Sequence, residues 1–210
     1  MEYGLIGEKL GHSFSKDIHN LIGNYDYILK EIPKDELTAF VTKKDFKGIN
    51  VTIPYKQEVI PFLDYIDPKA EEIGAVNTIV NKNGKLYGYN TDFFGLKNLI
   101  LANNIELNNK KVLILGTGGT SKTALAVARD LGAKEIYKVS RTKSETTISY
   151  EEACEKHCDA EVILNTTPVG MFPNNEASPI DISGFKNLQG AIDVIYNPLR
   201  TNFILSAKNK

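Results

Sequence analysis

The sequence predicts an α/β protein of two domains, in which the second domain is a doubly wound parallel sheet. The first observation is the order strand, glycine turn, helix, strand at residues 111–115, 116–119, 121–131 and 135–139. This order is typical of a βαβ unit. The second observation is that short strands and helices also alternate before residue 98, with turn residues between them. We therefore place one domain at residues 1–98 and another at residues 99–210.

The helix of the βαβ unit is amphipathic. Its apolar residues recur at i, i+3, i+4 and i+7, as Ala124, Val127, Ala128 and Leu131. Such a stripe predicts packing against a sheet, and Gly132 predicts the end of the helix. Apolar segments at residues 161–164 and 191–195 extend the parallel sheet.

The first domain is predicted to contain five strands and four helices. The strands lie at residues 3–6, 25–29, 48–51, 77–80 and 86–89. The helices lie at residues 15–22, 34–42, 55–63 and 92–103. The last two strands flank Asn83 and Gly84, and an Asn-Gly pair favours the positive φ angles of a tight hairpin.

Composition and charge favour a small-molecule partner. Of the 210 residues, 42% are hydrophobic, an ordinary fraction for a globular protein, and the formal net charge is -1. A balanced charge lacks the basic footprint of a nucleic-acid binder. The longest apolar runs are strand-sized, and the N-terminus lacks the features of a secretory signal. We therefore predict a cytoplasmic protein without nucleic-acid or membrane partners, either a monomer or a homodimer.

The two cysteines, Cys154 and Cys158, stand close to His157. On a helix the three side chains share one face, a spacing that can hold a metal ion. A zinc site needs a fourth ligand, and the surrounding residues are those of a charged, exposed helix. We therefore predict reduced surface thiols and no metal.

A glycine-rich turn follows the strand at residues 111–115. It comprises Gly116, Thr117, Gly118, Gly119 and Thr120. Glycine lets the backbone approach a pyrophosphate, whose negative charge is favoured at the start of a helix. The common fingerprint has a third glycine where this chain has Ser121, but the turn lies between a buried strand and an amphipathic helix. This context predicts a dinucleotide site, with a simple tight turn as the alternative.

The end of the next strand indicates which cofactor binds. An NAD site needs an acidic side chain there for the ribose 2′-hydroxyl, whereas this chain has Ser140, Arg141, Thr142 and Lys143. Two cations suit the 2′-phosphate of NADP, and an arginine can hold it with two parallel hydrogen bonds. The pattern predicts NADP, and a solvated charged loop with Glu145 nearby is the alternative.

Polar segments of the first domain predict a substrate site. They lie at residues 4–7 and 12–15, 50–56, 74–78 and 88–92. Each brings polar groups to a strand end or a helix start, where side chains can point into a cleft and recognise a small polyhydroxylated acid. Helix capping is the alternative for Ser15, Thr52 and Asp92. Capping does not explain Lys56, a long cation in the same set.

These segments resemble the shikimate/quinate dehydrogenase family, and shikimate dehydrogenases in particular, as do the segments Asn-Thr-Thr-Pro-Val-Gly-Met at 165–171 and Asp-Val-Ile-Tyr-Asn-Pro at 193–198. The resemblance extends from Glu2 to about Phe203. It implies a substrate domain followed by a Rossmann-type NADP domain. The substrate contacts that it implies are Ser13, Ser15, Thr52, Asn77, Asp92 and, lining the cleft, Tyr196. It also implies NADP contacts from the glycine turn, from residues 140–143 and from Thr166.

The resemblance further implies the reversible NADP-dependent reduction of 3-dehydroshikimate to shikimate, a step of aromatic amino acid biosynthesis. The ketone oxygen gains negative charge as hydride arrives and needs a proton, which Lys56 would donate while Asp92 orients it. Two alternatives stay open. One is a quinate or dual quinate/shikimate dehydrogenase, and the other is a non-catalytic ligand-binding module with this fold.

The chain departs from the family pattern at a few positions. Lys9 and Lys16 replace common prolines, and Ser140 replaces a common asparagine. Members of the family usually continue past Tyr196 into helices that return to the first domain and carry a glutamine that bonds the substrate, whereas this sequence ends at Lys210. A fragment and a shortened natural form are the alternatives. We expect substrate affinity and domain closure to depend on such helices.

Overall fold

The computed structural model describes residues 1–11 and 13–208, so His12 of the polar segment at 12–15 lies outside the described residues. The chain divides into two compact units, Met1–Asp92 and Phe93–Lys210. Both units combine strands with helices, which confirms the predicted α/β class. Within the described residues, no helix combines the length and the apolar character that a bilayer crossing requires.

The first unit is built on a six-stranded mixed sheet with strand order β2-β1-β3-β5-β6-β4. Its strands are β1 Tyr3–Gly7, β2 Tyr27–Glu31, β3 Gly48–Val51, β4 Tyr65–Ile66, β5 Thr78–Lys82 and β6 Lys85–Tyr89. Its helices are α1 Ser15–Ile22, α2 Leu37–Lys43 and α3 Pro68–Ile73, and α4 Thr91–Ala102 begins at its end. The predicted hairpin turn joins β5 to β6, with Asn83 at φ 53° and Gly84 at φ 82°.

Strand β3 has side chains on both faces of this sheet, one of which is packed into the core while the other is polar. Ile49 and Val51 are buried in the core cluster, and Asn50 lies on the opposite face because side chains alternate along a strand. Tyr55 belongs to the same core cluster, and its hydroxyl donates a hydrogen bond to the carbonyl of Ile32. The buried tyrosine therefore anchors the chain immediately before Lys56.

The predicted α-helix at residues 55–63 is wrong. The chain there forms turns followed by the 3₁₀ helix Ile60–Phe62. Pro61 has no N–H to donate to the carbonyl of Gln57, and that carbonyl accepts instead from the N–H of Ile60 at 3.2 Å. The proline therefore tightens the chain into a 3₁₀ turn. The helix predicted at residues 34–42 likewise begins as the 3₁₀ helix Lys34–Glu36 before α2.

The short elements β4 and α3 are absent from the predicted set. Helix α3 follows Asp67, whose side chain accepts from the N–H of Lys69 at 3.0 Å, and it ends at Gly74 with φ 67°. Asp and Gly are good local signals for the two ends of a helix, but six residues are too few to show a helical period. Strand β2 begins two residues later than predicted, at Tyr27, where it pairs with Tyr3 of β1.

The second unit contains a five-stranded parallel sheet with strand order β11-β10-β7-β8-β9. Its strands are β7 Lys111–Leu115, β8 Glu135–Ser140, β9 Ile148–Ser149, β10 Val162–Asn165 and β11 Gly190–Asp193, and its helices are α5 Gly119–Asp130, α6 Tyr150–Lys156 and α7 Asn202–Lys208. The order runs outward from β7 in both directions, which confirms the predicted doubly wound sheet. In such sheets ligands bind beyond the carboxyl ends of the strands where the order reverses, here beside β7 and β10.

Glu161 joins β7 to the start of β10. Its carboxylate accepts hydrogen bonds from Lys110 Nζ at 2.8 Å and from the N–H of Lys111 at 3.2 Å. Chiefly through the Lys110 hydrogen bond, these contacts hold the pKa of Glu161 below its ordinary value of 4.5. The stabilisation is therefore complete above the ordinary pKa and is lost as the pH falls through the lower pKa of the folded state.

Replacing Glu161 by glutamine is expected to lower the free energy of unfolding at neutral pH by about 1 kcal/mol, a modest value because the ion pair is partly exposed. Urea unfolding across a pH series measures this effect. The difference from wild type should shrink to nothing as the pH falls through the folded-state pKa of Glu161. Glu106→Gln, at an exposed carboxylate in the loop before β7, is the control and should leave the profile unchanged. A difference that stays constant in acid would contradict the ionic origin.

Candidate active site

Lys56 and Asp92 form a hydrogen-bonded ion pair in the first unit. Lys56 Nζ donates to Asp92 Oδ2 across a sequence separation of 36 residues. The lysine side chain is 15% exposed and the aspartate side chain 38%, so the pair is partly shielded from water and still open to a ligand. An ammonium held by a carboxylate in this way can donate a proton to a bound oxygen and take it back.

Two separate pieces of backbone bring this pair together. Lys56 directly follows a turn in which the N–H of Tyr55 donates to the carbonyl of Thr52 at 3.0 Å, and the carbonyl of Lys56 accepts from the N–H of Val76 at 2.7 Å. Asp92 is the second residue of α4, which starts directly after β6. The pair therefore depends on how β3, β5 and β6 are ordered in the sheet.

Asn77 lies at the junction that positions Asp92. Its Oδ1 accepts from the N–H of Thr91 at 2.9 Å, and its Nδ2 donates to Thr91 Oγ1 at 3.0 Å. Thr91 is the first residue of α4, so the Asn77 amide closes the start of the helix that carries Asp92. Asn77 is only 7% exposed, and a buried amide with these bonds has a fixed orientation.

The predicted serines lie at the start of α1, half-buried. Ser13 Oγ accepts from the N–H of Ser15 at 3.2 Å. Ser15 is the first residue of α1, whose N-cap is Phe14 with no side-chain hydrogen bond, so capping does not account for the Ser15 hydroxyl. Thr52 follows β3, is half-buried and donates its N–H to the carbonyl of Ile6 at 2.9 Å. Within the described residues, the two serines are hydrogen-bonded to each other. Their placement beside Lys56 and Asp92 stays a prediction.

Four residues of this region were not singled out by the sequence: Tyr27, Asn50, Thr78 and Thr91. Three of them fall inside the polar segments at 50–56, 74–78 and 88–92. The alternation of β3 places Asn50 on the polar face, and β5 pairs Thr78 directly with Asn50. That alternation is the signal that could have identified Asn50 and Thr78.

The glycine turn of the second unit has the shape that a pyrophosphate needs. Gly116 has φ 106°, and a Cβ there would stand 3.0 Å from both Thr166 Oγ1 and Thr167 Cγ2, so only glycine fits. A Cβ on Gly118 would meet no atom within 4 Å. Gly118 is the N-cap of the twelve-residue helix α5, whose first turn contains no acidic residue. Exposed N–H groups at an open helix start suit an anion, which fits a dinucleotide.

The remaining residues of the turn differ in their surroundings. Helix α5 begins at Gly119, two residues earlier than predicted; Thr117 is exposed and Thr120 half-buried. Thr166 Oγ1 donates to the carbonyl of Leu115 at 2.6 Å, which joins the carboxyl ends of β10 and β7 beside Gly116. Ser121 is 1% exposed, and within the described chain its hydroxyl oxygen has no hydrogen-bond partner. The hydrogen bond from Thr166 to Leu115 holds the rim of the candidate site.

The cationic segment after β8 presents one free charge. Ser140 Oγ accepts from the N–H of Thr142 at 3.3 Å, which shapes the turn. Lys143 Nζ lies 2.6 Å from Glu152 Oε2, and this ammonium holds the pKa of Glu152 below its ordinary value. Arg141 is exposed and forms no ion pair with the carboxylates of residues 1–11 and 13–208. Arg141 is therefore the cation of this segment that is available to an anion.

Tyr196 lies in the second unit, three residues after β11, and is 54% exposed. The preceding loop is held by Asp193, which accepts from Thr201 Oγ1 at 2.7 Å and from Asn165 Nδ2 at 3.1 Å. These bonds place the tyrosine segment at the carboxyl edge of the parallel sheet, the edge that also carries the glycine turn.

Cys154, His157 and Cys158 do not share a helix face. Helix α6 ends at Lys156, so His157 and Cys158 lie beyond it. The ring of His157 packs on Tyr137 with centroids 4.0 Å apart, and burial lowers its pKa. Both cysteines are exposed free thiols. Among the residues that the structure describes, no group of three or more His, Cys, Asp or Glu side chains is arranged to hold a metal ion.

Comparison with known proteins gives a consistent result. Residues 5–79 match the profile of the shikimate dehydrogenase substrate binding domain. A curated relative from Clostridium beijerinckii, named shikimate dehydrogenase (NADP(+)), is 39% identical over 222 residues, which cover 99% of this chain and 82% of the relative.

Solved structures agree with the sequence comparison. A chorismate mutase/shikimate 5-dehydrogenase fusion protein from Clostridium acetobutylicum is 38% identical with a TM-score of 0.90, covering 99% of this chain and 81% of that one. Shikimate 5-dehydrogenase from Thermus thermophilus, solved in complex with NADP(H) and shikimate, is 29% identical with a TM-score of 0.87, covering 100% of this chain and 84% of that one. This chain belongs to the shikimate dehydrogenase family.

Proposed function

We propose that this chain catalyses the reversible NADP-dependent reduction of 3-dehydroshikimate to shikimate, a reaction of aromatic amino acid biosynthesis. The observation that carries the proposal is the ion pair of Lys56 with Asp92. A half-buried ammonium beside a carboxylate is the group that a ketone reductase needs for proton transfer. The relatives named above as NADP-dependent shikimate dehydrogenases support the same reaction.

Two domains divide the work in this proposal, and their boundary lies six residues after the end of the first compact unit. Residues 1–98 form the substrate-binding and catalytic domain, and residues 99–210 form the NADP-binding domain. The compact units meet in the chain at Asp92 and Phe93, so the catalytic aspartate stands at the last position of the first unit. Helix α4 continues from it into the second unit.

Lys56 acts as the proton donor. When bound, NADPH supplies the hydride that reduces the ketone carbon. As negative charge develops on the ketone oxygen, the Lys56 ammonium gives it a proton, and in the oxidative direction the neutral amine takes that proton back. Asp92 orients the ammonium and accepts a hydrogen bond from a substrate hydroxyl.

The substrate contacts are polar groups of the first unit with one residue of the second. The hydroxyls of Ser13 and Ser15 donate hydrogen bonds to the substrate carboxylate, and Thr52 and Asn77 form hydrogen bonds with the ring hydroxyls. Tyr196 lines the cleft. Ser13, Ser15 and Thr52 are half-buried and Tyr196 is exposed, whereas Asn77 is buried with its amide held at the start of α4.

The cofactor contacts lie at the carboxyl edge of the parallel sheet. Gly116, Thr117, Gly118, Gly119 and Thr120 hold the pyrophosphate through their backbone N–H groups. Arg141 binds the 2′-phosphate with help from Ser140 and Thr142, while Lys143 contributes less because Glu152 already holds it. Thr166 supports the turn beside Gly116.

A two-by-two assay tests the proposal. Reduction of NADP⁺ or NAD⁺ is followed by the absorbance of the reduced nicotinamide, with shikimate or quinate as substrate. We expect the largest kcat/KM for shikimate with NADP⁺. A larger kcat/KM for quinate would assign the chain to quinate oxidation. Calorimetric NADP⁺ binding by folded protein that oxidises neither acid would indicate a non-catalytic module.

A further inference from the structure

A chain of hydrogen bonds crosses the polar face of the first sheet. The hydroxyl of Tyr27 on β2 donates to Asn50 Oδ1 on β3 at 2.6 Å, and Asn50 Nδ2 donates to Thr78 Oγ1 on β5 at 3.1 Å. Thr78 Oγ1 donates to Asn77 Oδ1 at 3.1 Å, which also accepts the N–H of Thr91 at 2.9 Å. The chain thus connects three strands to the first residue of α4, next to Asp92.

The direction of every bond in this chain follows from its backbone end. The N–H of Thr91 can only donate, so the group facing it must be Oδ1 of Asn77. Thr78 has one hydroxyl proton, and Asn77 Oδ1 at 3.1 Å is a closer acceptor than Thr91 Oγ1 at 3.5 Å. Thr78 therefore donates to the amide oxygen of Asn77 and accepts from the amide nitrogen of Asn50. The carbonyl oxygen of Asn50 then faces Tyr27, which must donate.

Asn77 is left with one unused donor. Its Oδ1 accepts from the N–H of Thr91, from Thr91 Oγ1 at 3.2 Å and from Thr78 Oγ1. Its Nδ2 has two protons but one acceptor in the described chain, Thr91 Oγ1 at 3.0 Å. An unpaired amide proton on a residue 7% exposed is costly unless a ligand accepts it, and a ring hydroxyl can.

We infer that Tyr27, Asn50 and Thr78 are positioning residues, which hold the Asn77 amide as a hydrogen-bond donor toward a hydroxyl of the substrate. The inference rests on the proposed function, because it names Asn77 as a substrate contact. In this inference each of the three acts through its neighbour in the chain of bonds.

We call the series of hydrogen bonds from Tyr27 through Asn50, Thr78 and Asn77 to Thr91 the relay. Its first residue, Tyr27, is itself held in place. The ring of His19 on α1 stacks on Tyr27 with centroids 3.8 Å apart and planes 8° apart. Burial raises the pKa of Tyr27 well above its ordinary value, so its hydroxyl stays protonated and remains a donor at any pH at which the protein works. The hydrogen bonds of the relay therefore keep one direction, with Tyr27 as the donor to Asn50.

Tyr27→Phe and Thr78→Val test the relay by removing single hydroxyls. Each variant is expected to bind shikimate about three- to tenfold more weakly, the effect of one lost or misdirected hydrogen bond. The loss should appear in the KM for shikimate and in the calorimetric Kd, with kcat and the KM for NADP⁺ near wild type, because a ground-state contact is removed. A general folding defect would instead lower the active fraction and kcat.

Two control variants separate the hydroxyl from the packing. Thr78→Ser keeps the hydroxyl and should bind shikimate like wild type. Tyr65→Phe removes a tyrosine hydroxyl from β4, at the opposite edge of the same sheet from β2, so it should also leave shikimate binding unchanged.

Unaltered shikimate affinity in Thr78→Val and Tyr27→Phe would overturn the inference, as would an equal loss in Thr78→Ser and Thr78→Val. Wild-type protein that oxidises shikimate while these variants behave like it contradicts the relay alone. Wild-type protein that neither oxidises nor binds shikimate contradicts the proposed function, and the relay is overturned with it.

Discussion

Replacing Lys56 by alanine is expected to lower kcat for shikimate oxidation by about 10²- to 10⁴-fold, the range that a positioned general acid and base contributes. The physical reason is that the alkoxide formed or consumed at the ring carbon loses the ammonium that Asp92 holds in place. The KM for NADP⁺ should change little, because the predicted cofactor contacts lie in the other unit. Steady-state kinetics with saturating shikimate measure the effect.

The chain offers a matched control for this variant. Lys44 forms a second lysine–aspartate pair in the same unit, with Asp64 at 3.2 Å, and neither residue belongs to the proposed site. Lys44→Ala should keep kcat near wild type. Asp92→Asn should lower kcat because a neutral amide holds the ammonium less well and does not favour its charge. Undiminished turnover by Lys56→Ala would refute the proposed role of the lysine.

Replacing Arg141 by alanine is expected to raise the KM and the Kd for NADP⁺ by about 10- to 100-fold, the effect of losing hydrogen bonds to a charged phosphate. Affinity for NAD⁺, which has no 2′-phosphate, should stay close to wild type. The ratio of the two affinities, measured by calorimetry and by kcat/KM, is therefore the decisive quantity. It should move toward NAD⁺ in the variant.

Lys143→Ala is the matched control for Arg141, because both residues are exposed cations of one short segment. Lys143 is engaged by Glu152 at 2.6 Å, so its loss should change NADP⁺ affinity by no more than about threefold. Equal effects of the two variants would show that the ion pair opens when the phosphate binds. An Arg141→Ala protein with unchanged preference for NADP⁺ would refute the proposed role of Arg141.

The sequence pattern was sufficient to predict those elements whose pattern lies within one short segment. Strands β3 and β7 begin and end at the predicted residues, since a buried strand reads as a short apolar or alternating run bounded by turn residues. The Asn83-Gly84 hairpin and the glycine turn at Gly116 follow from backbone angles that few other residues adopt. The helix prediction at residues 55–63 failed because Pro61 cannot donate the hydrogen bond that an α-helix needs there.

The amino-acid sequence determined the class of the protein, the order of most strands and helices, and which residue types stand at strand ends. It did so because propensity, turn chemistry and periodicity act over a few residues. Only the tertiary structure decided the contacts between distant segments. The pairing of Lys56 with Asp92 and the relay from Tyr27 to Thr91 join groups that strand order brings together. The pairing of Lys143 with Glu152 depends on how the loop after β8 meets α6, and no local pattern encodes which side chains then meet.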